Sequence, residues 1–450
     1  MGEPNKVAEE LQALVPGRVV DNVTAYLRDQ WPLLSLAPEE VGSTPVAVKP
    51  MNVDEVATIV KYAAANRLRI LCRGGGSSVT GASIPHGEIV IDMTGMNQVL
   101  ELDEDNRMVT VQAGIRLAEL ELRLSKKGFT LGQLPRSYEL ATVGGYVSTM
   151  GTGQYSSKYG GIEDSVARLQ AVLPDGEVLW TRYRSSPRSS VGPDFSRLLI
   201  GAEGVFGVVS AAELKLHKVP NHSWKALYVF ADFPTAVMAS RALVDLDVRP
   251  TLCRVYNEVD ASLYFRAPRS AMLVIYTFRS SSLMEATSKE VVESIGPAGT
   301  PGDKSLVDGW LEKRFSSREH MEEVKAMGLM TDTAEVACGW SGVLETYADA
   351  MASLGSIEGV SAVGVQISHV YEHGACISIA PLFKPNAALY WSIWNTLARV
   401  AEAHNATLSH HHGVGILKAG LVGKEFPRTL LRRLREGVDP EGTMHPGGFA

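Results

Sequence analysis

LRILCRGGGSS, residues 68–78, decides the fold of the first half of the chain. Leu68 to Cys72 is short and apolar enough for a buried strand, and it runs directly into three glycines and two serines. A loop without side chains lets backbone N–H groups approach an anion closely, as phosphate-binding loops do. The loop matches neither GxGxxG before a helix nor the Walker pattern, so both of those nucleotide-binding motifs are excluded.

Two more glycine clusters follow, at residues 144–153 and 201–207. A tight turn between strands explains any one cluster about as well as a ligand does. Three clusters in one half of the chain, two of them rich in serine and threonine, favour one long phosphate-bearing ligand held at several points. Their spacing does not identify that ligand.

The hydrophobic pattern predicts regular elements around these loops. Asn52 and Glu55 form a capping box for a helix that ends near Asn66. Pro174-Asp-Gly176 predicts a hairpin turn. Other predicted elements are strands at 89–93, 109–111, 169–173, 177–180 and 271–278, a strand ending at Leu216, and a helix at 117–127.

Composition narrows the class of protein. The 450 residues, with 45% hydrophobic and 21% charged side chains, predict an ordinary globular protein of two or three domains. A net charge of -7 argues against a nucleic-acid partner. The four cysteines form no CxxC pair, which disfavours structural zinc and disulfides and favours a reduced, cytoplasmic setting. No apolar run is long enough for a membrane span, although peripheral association stays open.

Four ordered segments carry a family likeness, and they are CRGGGSS (72–78), PRSYELATVGGYVST (135–149), YGGIED (159–164) and EGVFGVV (203–209). In this order they resemble the FAD-linked oxidases, also called the vanillyl-alcohol-oxidase superfamily. Two later segments, HVYEHGACI (369–377) and SHHHGVG (409–415), are similar to the alkylglycerone-phosphate synthases and their prokaryotic relatives.

The resemblance implies an α+β fold. It comprises a two-subdomain FAD-binding domain of the PCMH type, an α+β cap domain with an antiparallel sheet, and a C-terminal segment that returns to the flavin. The implied ranges are an N-terminal helical segment 1–44, the FAD-binding domain 45–219, the cap or substrate domain 220–404, and the C-terminal segment 405–450.

The resemblance also implies the FAD contacts, with the pyrophosphate on the loop 72–78. The predicted cofactor-binding residues are Arg73, Gly74, Gly75, Gly76, Ser77, Ser78, Pro135, Ser137, Thr142, Gly144, Gly145, Ser148, Thr149, Gly151, Thr152, Glu203, Gly204, Gly207 and Val209. No histidine lies between His86 and His217, so the attachment point of covalent relatives is missing and noncovalent FAD is expected.

Flavin supplies an electron sink, so the protein must supply a base and orientation. By resemblance, Tyr371 matches the active-site tyrosine of the family, and a nearby imidazolium would ionise it in part. The candidate catalytic histidines are His410, His411 and His412, of which the last two carry more weight. A lone histidine is usually an ordinary residue, but three in a row beside an apolar segment are harder to explain in that way.

The sequence differs from the synthase family at one position that concerns substrate binding. The synthase family carries an arginine for the acidic group of the substrate, upstream of the segment that ends at Glu335. Ungapped registration places Met321 there, and methionine cannot make a bidentate contact to an anion. Arg314 and Arg318 lie nearby but off register. Arg318 and Glu335 are the predicted substrate-binding residues, and ether-lipid synthesis is in doubt.

A metal site is the competing interpretation of the histidines, because His369 and His373 lie at i and i+4. The related lactate and glycolate dehydrogenases bind metal through a HAGDGN-like segment, of which HVYEHGA (369–375) lacks much. The expectation is that no metal is bound.

Three functions compete. The leading one is an FAD-dependent oxidoreductase that acts at flavin N5 on a small 2-hydroxy acid, of the D-lactate or glycolate type, or on a related alcohol. The second is a synthase that exchanges an acyl for an alkyl group on glycerone phosphate. The third is a flavin-binding protein without catalysis. The electron acceptor (oxygen, quinone or protein) and the oligomeric state, with a homodimer among the alternatives, stay open.

Overall fold

The computed structural model describes residues 4–37, 40–43, 46–183, 186–267, 269–315, 317–423, 425 and 427–445. A parallel three-stranded sheet carries the first glycine loop, and its strands are β1 (Val46–Val48), β2 (Ile70–Arg73) and β3 (Ile89–Asp92), in the order β1-β3-β2. Helices α1 (Pro4–Leu14) and α2 (Val53–Ala65) pack beside this sheet. The apolar side chains of α2 recur at helical spacing, and that face is buried.

A five-stranded antiparallel sheet forms the second half of this region, in the order β4-β5-β9-β7-β8, with β6 and β10 paired separately. The strands are β4 (Val99–Asp103), β5 (Met108–Gln112), β6 (Phe129–Thr130), β7 (Val166–Val172), β8 (Val178–Trp180), β9 (Val208–Lys215) and β10 (His217–Lys218). The helices between them are α3 (Leu117–Ser125), α4 (Val143–Ser148), α5 (Ser156–Tyr159), α6 (Ile162–Ser165) and α7 (Ser196–Leu199).

The remaining strands form one antiparallel sheet in the order β14-β11-β13-β12-β17-β18-β15, with β16 also paired to β18. They are β11 (His222–Val229), β12 (Leu252–Tyr256), β13 (Ala271–Phe278), β14 (Thr300–Pro301), β15 (Met330–Thr331), β16 (Ala334–Gly339), β17 (Val360–Tyr371) and β18 (Gly374–Phe383). The helices are α8 (Phe233–Val244), α9 (Glu258–Phe265), α10 (Ser281–Ile295), α11 (Ser305–Lys313), α12 (Ser317–Ala326), α13 (Trp340–Gly355), α14 (Ala387–Ala403), α15 (Gly415–Lys418) and α16 (Arg428–Val438).

Local sequence accounts for several of these elements. The Asn52 side chain accepts a hydrogen bond from the Glu55 N–H at 2.9 Å, so the predicted N-terminal cap of α2 is confirmed. Glu55 itself accepts from the N–H of Met51 rather than from that of Asn52, so the second half of the capping box is shifted by one residue. The hairpin turn at 174–176 is confirmed, because the Gly176 N–H donates to the Leu173 carbonyl at 2.8 Å.

Two large hydrophobic cores hold the molecule together. The first lies in the half of the molecule formed by the parallel sheet and the five-stranded sheet, and it includes Val7 and Leu11 of α1 as well as Met444 near the C-terminus. The second covers the eight-stranded sheet of β11–β18, called the cap sheet below, and also contains Trp31 and Leu34 of the N-terminal segment. The segment 1–44 therefore contributes to both cores. The division of the chain at 45, 220 and 405 stays a prediction. Among the described residues, no helix has the length and apolar character that crossing a membrane requires.

Candidate active site

A cleft of about 1270 Å³ lies between the glycine loops and the cap sheet. One wall consists of residues from the loops 74–78, 135–145 and 203–209, and the other wall consists of side chains from the cap strands and from the histidine segment. The three glycine clusters, which are far apart in sequence, thus meet in one cavity. This arrangement fits a single long ligand.

The first glycine loop can receive an anion. The N–H groups of Gly75, Gly76, Ser77 and Ser78 donate to no acceptor among the described residues, and all four residues line the cleft. A Cβ atom on Gly75 would lie 1.7 Å from the Leu140 carbonyl oxygen, so no side chain fits at that position. Free backbone donors packed this closely suit phosphate oxygens.

A buried side-chain amide also lines the cleft. Gln154 is buried and lines the cavity, and neither its Nε2 nor its Oε1 has a hydrogen-bond partner among the described residues. A buried amide without partners costs free energy unless a ligand satisfies it. The loop and the amide together fit a ligand with phosphates at one end and polar ring atoms elsewhere, as FAD has.

All the predicted FAD contacts except two line the cleft, namely Gly74, Gly75, Gly76, Ser77, Ser78, Pro135, Ser137, Thr142, Gly144, Gly145, Ser148, Thr149, Thr152, Glu203, Gly204, Gly207 and Val209. Arg73 turns away and donates to the backbone carbonyls of residues 25, 26, 28 and 83 at 2.7–3.1 Å. Gly151 packs against Tyr146, where a Cβ would lie 2.1 Å from the ring. Both of these residues support the cleft from behind.

The histidine segment is organised by one carboxylate. Glu335, on β16, is fully buried, and its Oε1 lies 2.8 Å from His411 Nδ1 and 2.9 Å from His412 Nε2. Its Oε2 accepts the backbone N–H groups of the same two histidines at 3.1 and 3.0 Å. These imidazoles hold the pKa of Glu335 well below its usual range, in spite of burial that acts in the opposite direction. Glu335 is therefore a carboxylate that fixes two rings lining the cleft.

Two further contacts hold the segment in place. Lys418 is completely buried, with its Nζ 4.0 Å from Glu335 Oε2 and 3.2 Å from Ser409 Oγ. On the other side, the Glu203 carboxylate accepts the N–H groups of Val414 and Gly415 at 2.6 and 3.0 Å. The C-terminal segment is thus tied to both halves of the molecule.

Tyr371 and His410 lie behind the cleft wall and do not line it. The Tyr371 hydroxyl is 3.1 Å from His410 Nε2 and 3.2 Å from Ser156 Oγ. Burial raises the pKa of Tyr371, and burial lowers the pKa of His410 to about 3. A neutral tyrosine beside a neutral imidazole is the opposite of the partly ionised tyrosine beside an imidazolium that the sequence suggested.

The cap sheet adds polar residues that the sequence analysis missed. Arg254 of β12 is 6% exposed and lines the cleft; its Nη1 donates to Gln366 Oε1 at 3.0 Å, and its Nε is buried without a hydrogen-bond partner among the described residues. Gln366 in turn donates to Asp260 at 2.7 Å. The sequence did contain a signal for Arg254, because it is the single charged residue in the otherwise apolar segment LCRVY.

The structure describes the side chain of Met321 but not that of Arg318, the predicted substrate-binding arginine. Met321 lines the cleft and is 39% exposed. Arg318 falls on α12, but its side chain lies outside the described part of the chain. Whether Arg318 reaches the substrate stays a prediction.

Two triplets could each surround a metal ion, since their ligand atoms lie within 4.8 Å of one another: His369, His410 and His411, and Glu335, His411 and His412. In the second triplet, Glu335 Oε1 lies 2.8 and 2.9 Å from the two ring nitrogens as an ion-pair contact, and it accepts no hydrogen bond from the described residues. The expectation that no metal is bound stays a prediction.

Several known proteins are similar to this chain in sequence or in fold. A family model described as "FAD binding domain" matches residues 44–182, and one described as "FAD linked oxidases, C-terminal domain" matches residues 219–448. An alkyldihydroxyacetonephosphate synthase of Dictyostelium discoideum is 28% identical, over 95% of this chain and 76% of its own. A D-lactate dehydrogenase of Archaeoglobus fulgidus is 26% identical, over 94% of this chain and 95% of its own. The solved structure of p-cresol methylhydroxylase superposes with a TM-score of 0.77 at 16% identity, over 98% of this chain and 95% of that one, which confirms the predicted PCMH-type fold.

Proposed function

Since the chain belongs to the FAD-linked oxidases, a family of FAD-binding enzymes, we propose that it oxidises a small 2-hydroxy acid of the D-lactate or glycolate type. The observation that carries this proposal is Arg254, a buried guanidinium on the cleft wall with an unpartnered Nε. A desolvated cation is stabilised by an anion at bidentate distance, and a carboxylate matches the planar donor set of arginine.

The residues of the cleft then have separate roles. The glycine loops and Gln154 would hold FAD, which would supply a two-electron acceptor for the oxidation of the carbinol carbon. Arg254 orients the carboxylate of the substrate, and the His411 and His412 rings face its hydroxyl. The Glu335 carboxylate, whose Oε1 lies 2.8 Å from His411 Nδ1 and 2.9 Å from His412 Nε2, favours a proton on each of these nitrogens by its charge. The other nitrogen of each ring is left with a lone pair that can take the hydroxyl proton.

Anaerobic reduction tests this proposal. Addition of D-lactate, glycolate or a related 2-hydroxy acid to the purified yellow protein should abolish the absorbance band of the oxidised flavin. Retention of the band with every 2-hydroxy acid, while dithionite still reduces the flavin, would contradict the proposal.

A synthase is the second candidate, favoured by the alkyldihydroxyacetonephosphate synthases among the relatives. This reaction replaces an acyl by an alkyl group and needs no external electron acceptor. Conversion of acyl-glycerone phosphate and a fatty alcohol to product, with no reduction by 2-hydroxy acids, would support it. The presence of Met321 at the position of the expected arginine weighs against it.

A further inference from the structure

A continuous row of hydrogen-bonding groups connects two points of the cleft wall. His411 Nδ1 is 2.8 Å from His410 Nδ1, and His410 Nε2 is 3.1 Å from the Tyr371 hydroxyl. That hydroxyl is 3.2 Å from Ser156 Oγ, which is 2.8 Å from His369 Nδ1. His411 and His369 both line the cleft, whereas the groups between them do not.

Ser156 belongs to the flavin-binding half, and every other member of the row belongs to the cap or the C-terminal segment. It lies at the start of α5 and is 3% exposed. Without its hydroxyl, Tyr371 and His369 have no hydrogen bond between them, because their rings are stacked with centroids 6.4 Å apart. Ser156 thus closes a gap that the cap residues leave.

We propose that Ser156 is a positioning residue that completes a proton relay from His411 through His410 and Tyr371 to His369. The proposal rests on the proposed oxidation of a hydroxyl group, which releases one proton at His411. It also assigns Tyr371 the part of a conductor rather than that of an ionised base.

The protons balance along the row. In the resting row, His411 Nδ1–H donates to His410 Nδ1 at 2.8 Å, so the Nδ1 of His410 is an acceptor and its Nε2 carries hydrogen. His410 Nε2–H donates to the Tyr371 oxygen, Tyr371 donates to Ser156, and Ser156 donates to His369 Nδ1. When His411 Nε2 takes the substrate proton, its Nδ1 proton passes to His410.

Each later member of the row then gives one proton as it receives one. His411 returns to the neutral form, and His369 gains the proton on Nδ1. The bonds broken and formed are all N–H or O–H bonds, and no electron moves in this step.

The surroundings suit transient protonation at the far end. Burial, His410, His411 and Arg254 lower the pKa of His369, and Glu335 opposes them. Burial raises the pKa of Tyr371, with Glu163, Cys376 and Glu335 acting in the same direction and Ser156 against it. His369 lines the cleft and therefore releases its proton to the solvent there, and Tyr371 stays neutral between transfers.

Ser156→Ala tests the relay, with Ser157→Ala, a buried serine of the same short helix, as its matched control. We expect anaerobic flavin reduction by the 2-hydroxy acid to slow by about a hundredfold in Ser156→Ala with KM unchanged, the size of a modest acid–base contribution. Ser156→Thr, which keeps the hydroxyl, should recover most of the rate. In mixtures of H₂O and D₂O, the wild-type rate should depend on deuterium content with the curvature of several protons in motion, and the Ser156→Ala rate should depend linearly.

Equal rates and equal solvent isotope effects in Ser156→Ala and Ser157→Ala would overturn the relay. Nitrogen-15 NMR of histidine-labelled, substrate-free holoenzyme provides a readout without turnover. It should show His369 with an acceptor Nδ1 whose resonance shifts in Ser156→Ala but not in Ser157→Ala, and an unshifted resonance would also overturn the relay. Failure of the wild type with every 2-hydroxy acid would instead contradict the proposed function, and the NMR result would still decide on the hydrogen-bonded row.

Discussion

Arg254 is the residue on which the proposed binding of a 2-hydroxy acid depends most. Its guanidinium is buried, and within the described part of the chain its one side-chain acceptor is Gln366. Arg254→Ala should lower kcat/KM for the 2-hydroxy acid by about a hundredfold, equivalent to about 3 kcal/mol, because it removes the partner of the carboxylate. Arg254→Lys should recover only part of this loss, since an ammonium lacks the planar pair of donors.

The exposed Arg249, paired with Glu372 on the surface, provides the control for that prediction. Arg249→Ala should leave kcat/KM within a factor of about two, because exposed ion pairs contribute little. Steady-state kinetics with a single acid checks all three variants. An Arg254→Ala enzyme as efficient as the wild type would remove Arg254 from substrate binding.

The buried carboxyl group of Asp332 should make the stability of the protein depend on pH. Burial raises its pKa to about 6, although Tyr390 donates to its Oδ2 at 2.7 Å. The folded protein keeps this proton over a pH range in which the unfolded chain has lost it, so the contribution of Asp332 to stability decreases as pH rises towards 6 and remains lost above. Asp332→Asn does not titrate. The melting temperature of the wild type minus that of Asp332→Asn should therefore fall between pH 4 and pH 7, by the equivalent of up to about 3 kcal/mol.

Asp349 provides the opposite sign as a control. Its hydrogen bond with His404 lowers its pKa, so its contribution is present above its ordinary pKa and is lost as pH falls. The melting temperature of the wild type minus that of Asp349→Asn should therefore rise with pH over the acidic range. If the two differences in melting temperature changed in the same direction with pH, the raised pKa of Asp332 would be contradicted.

At the scale of elements, local sequence was a good guide wherever a segment satisfied its own hydrogen bonds. The cap at Asn52 and the turn at 174–176 were predictable because the partners lie within a few residues. The strand Ala271–Phe278 was predictable because both faces of the cap sheet are covered, which makes its sequence continuously apolar. The direction of Arg73 was not predictable, because three of its four acceptors lie 45 to 48 residues away along the chain.

Arg73 therefore acts on a neighbouring segment rather than on a ligand. It donates to three carbonyls of residues 25–28 and to that of Ser83, and so holds the N-terminal segment against the first glycine loop. Arg73→Lys should loosen this segment, because an ammonium cannot reach four diverging acceptors. We expect faster proteolytic cleavage between residues 24 and 36 and weaker FAD retention on dilution.

Arg123→Lys, on the exposed face of α3, is the control for that experiment. It should change neither cleavage nor FAD retention. Unaltered proteolysis of Arg73→Lys would show that the segment is held by its apolar contacts alone. Weakened FAD retention without faster cleavage would show instead that Arg73 contacts the cofactor, as the family resemblance implied.

At the scale of the molecule, the chain crosses repeatedly between its two cores. Trp31, at the start of the chain, is buried in the cap core, whereas Met444, near its end, lies in the flavin-binding core. Hydrophobic periodicity identifies a buried face but not the core that receives it, so these crossings could not be predicted from the sequence. The same limit applied to the cleft. Its glycine loops carry motifs, whereas Arg254, Gln366 and Ser156 depend on contacts that only the fold creates.

The Tyr390 hydroxyl connects the N-terminal segment to the cap within the cap core. Tyr390 accepts from Trp31 Nε1 at 2.9 Å and donates to Asp332 at 2.7 Å, and all three groups line or adjoin the cleft. Tyr390→Phe leaves the buried indole N–H without a partner, which should cost about 1–3 kcal/mol and lower the melting temperature. Tyr276→Phe is the matched control, since that buried hydroxyl has no partner among the described residues and its loss should be neutral or stabilising. Calorimetry with intrinsic tryptophan fluorescence measures both variants, and equal melting temperatures would show that apolar packing alone joins the N-terminal segment to the cap.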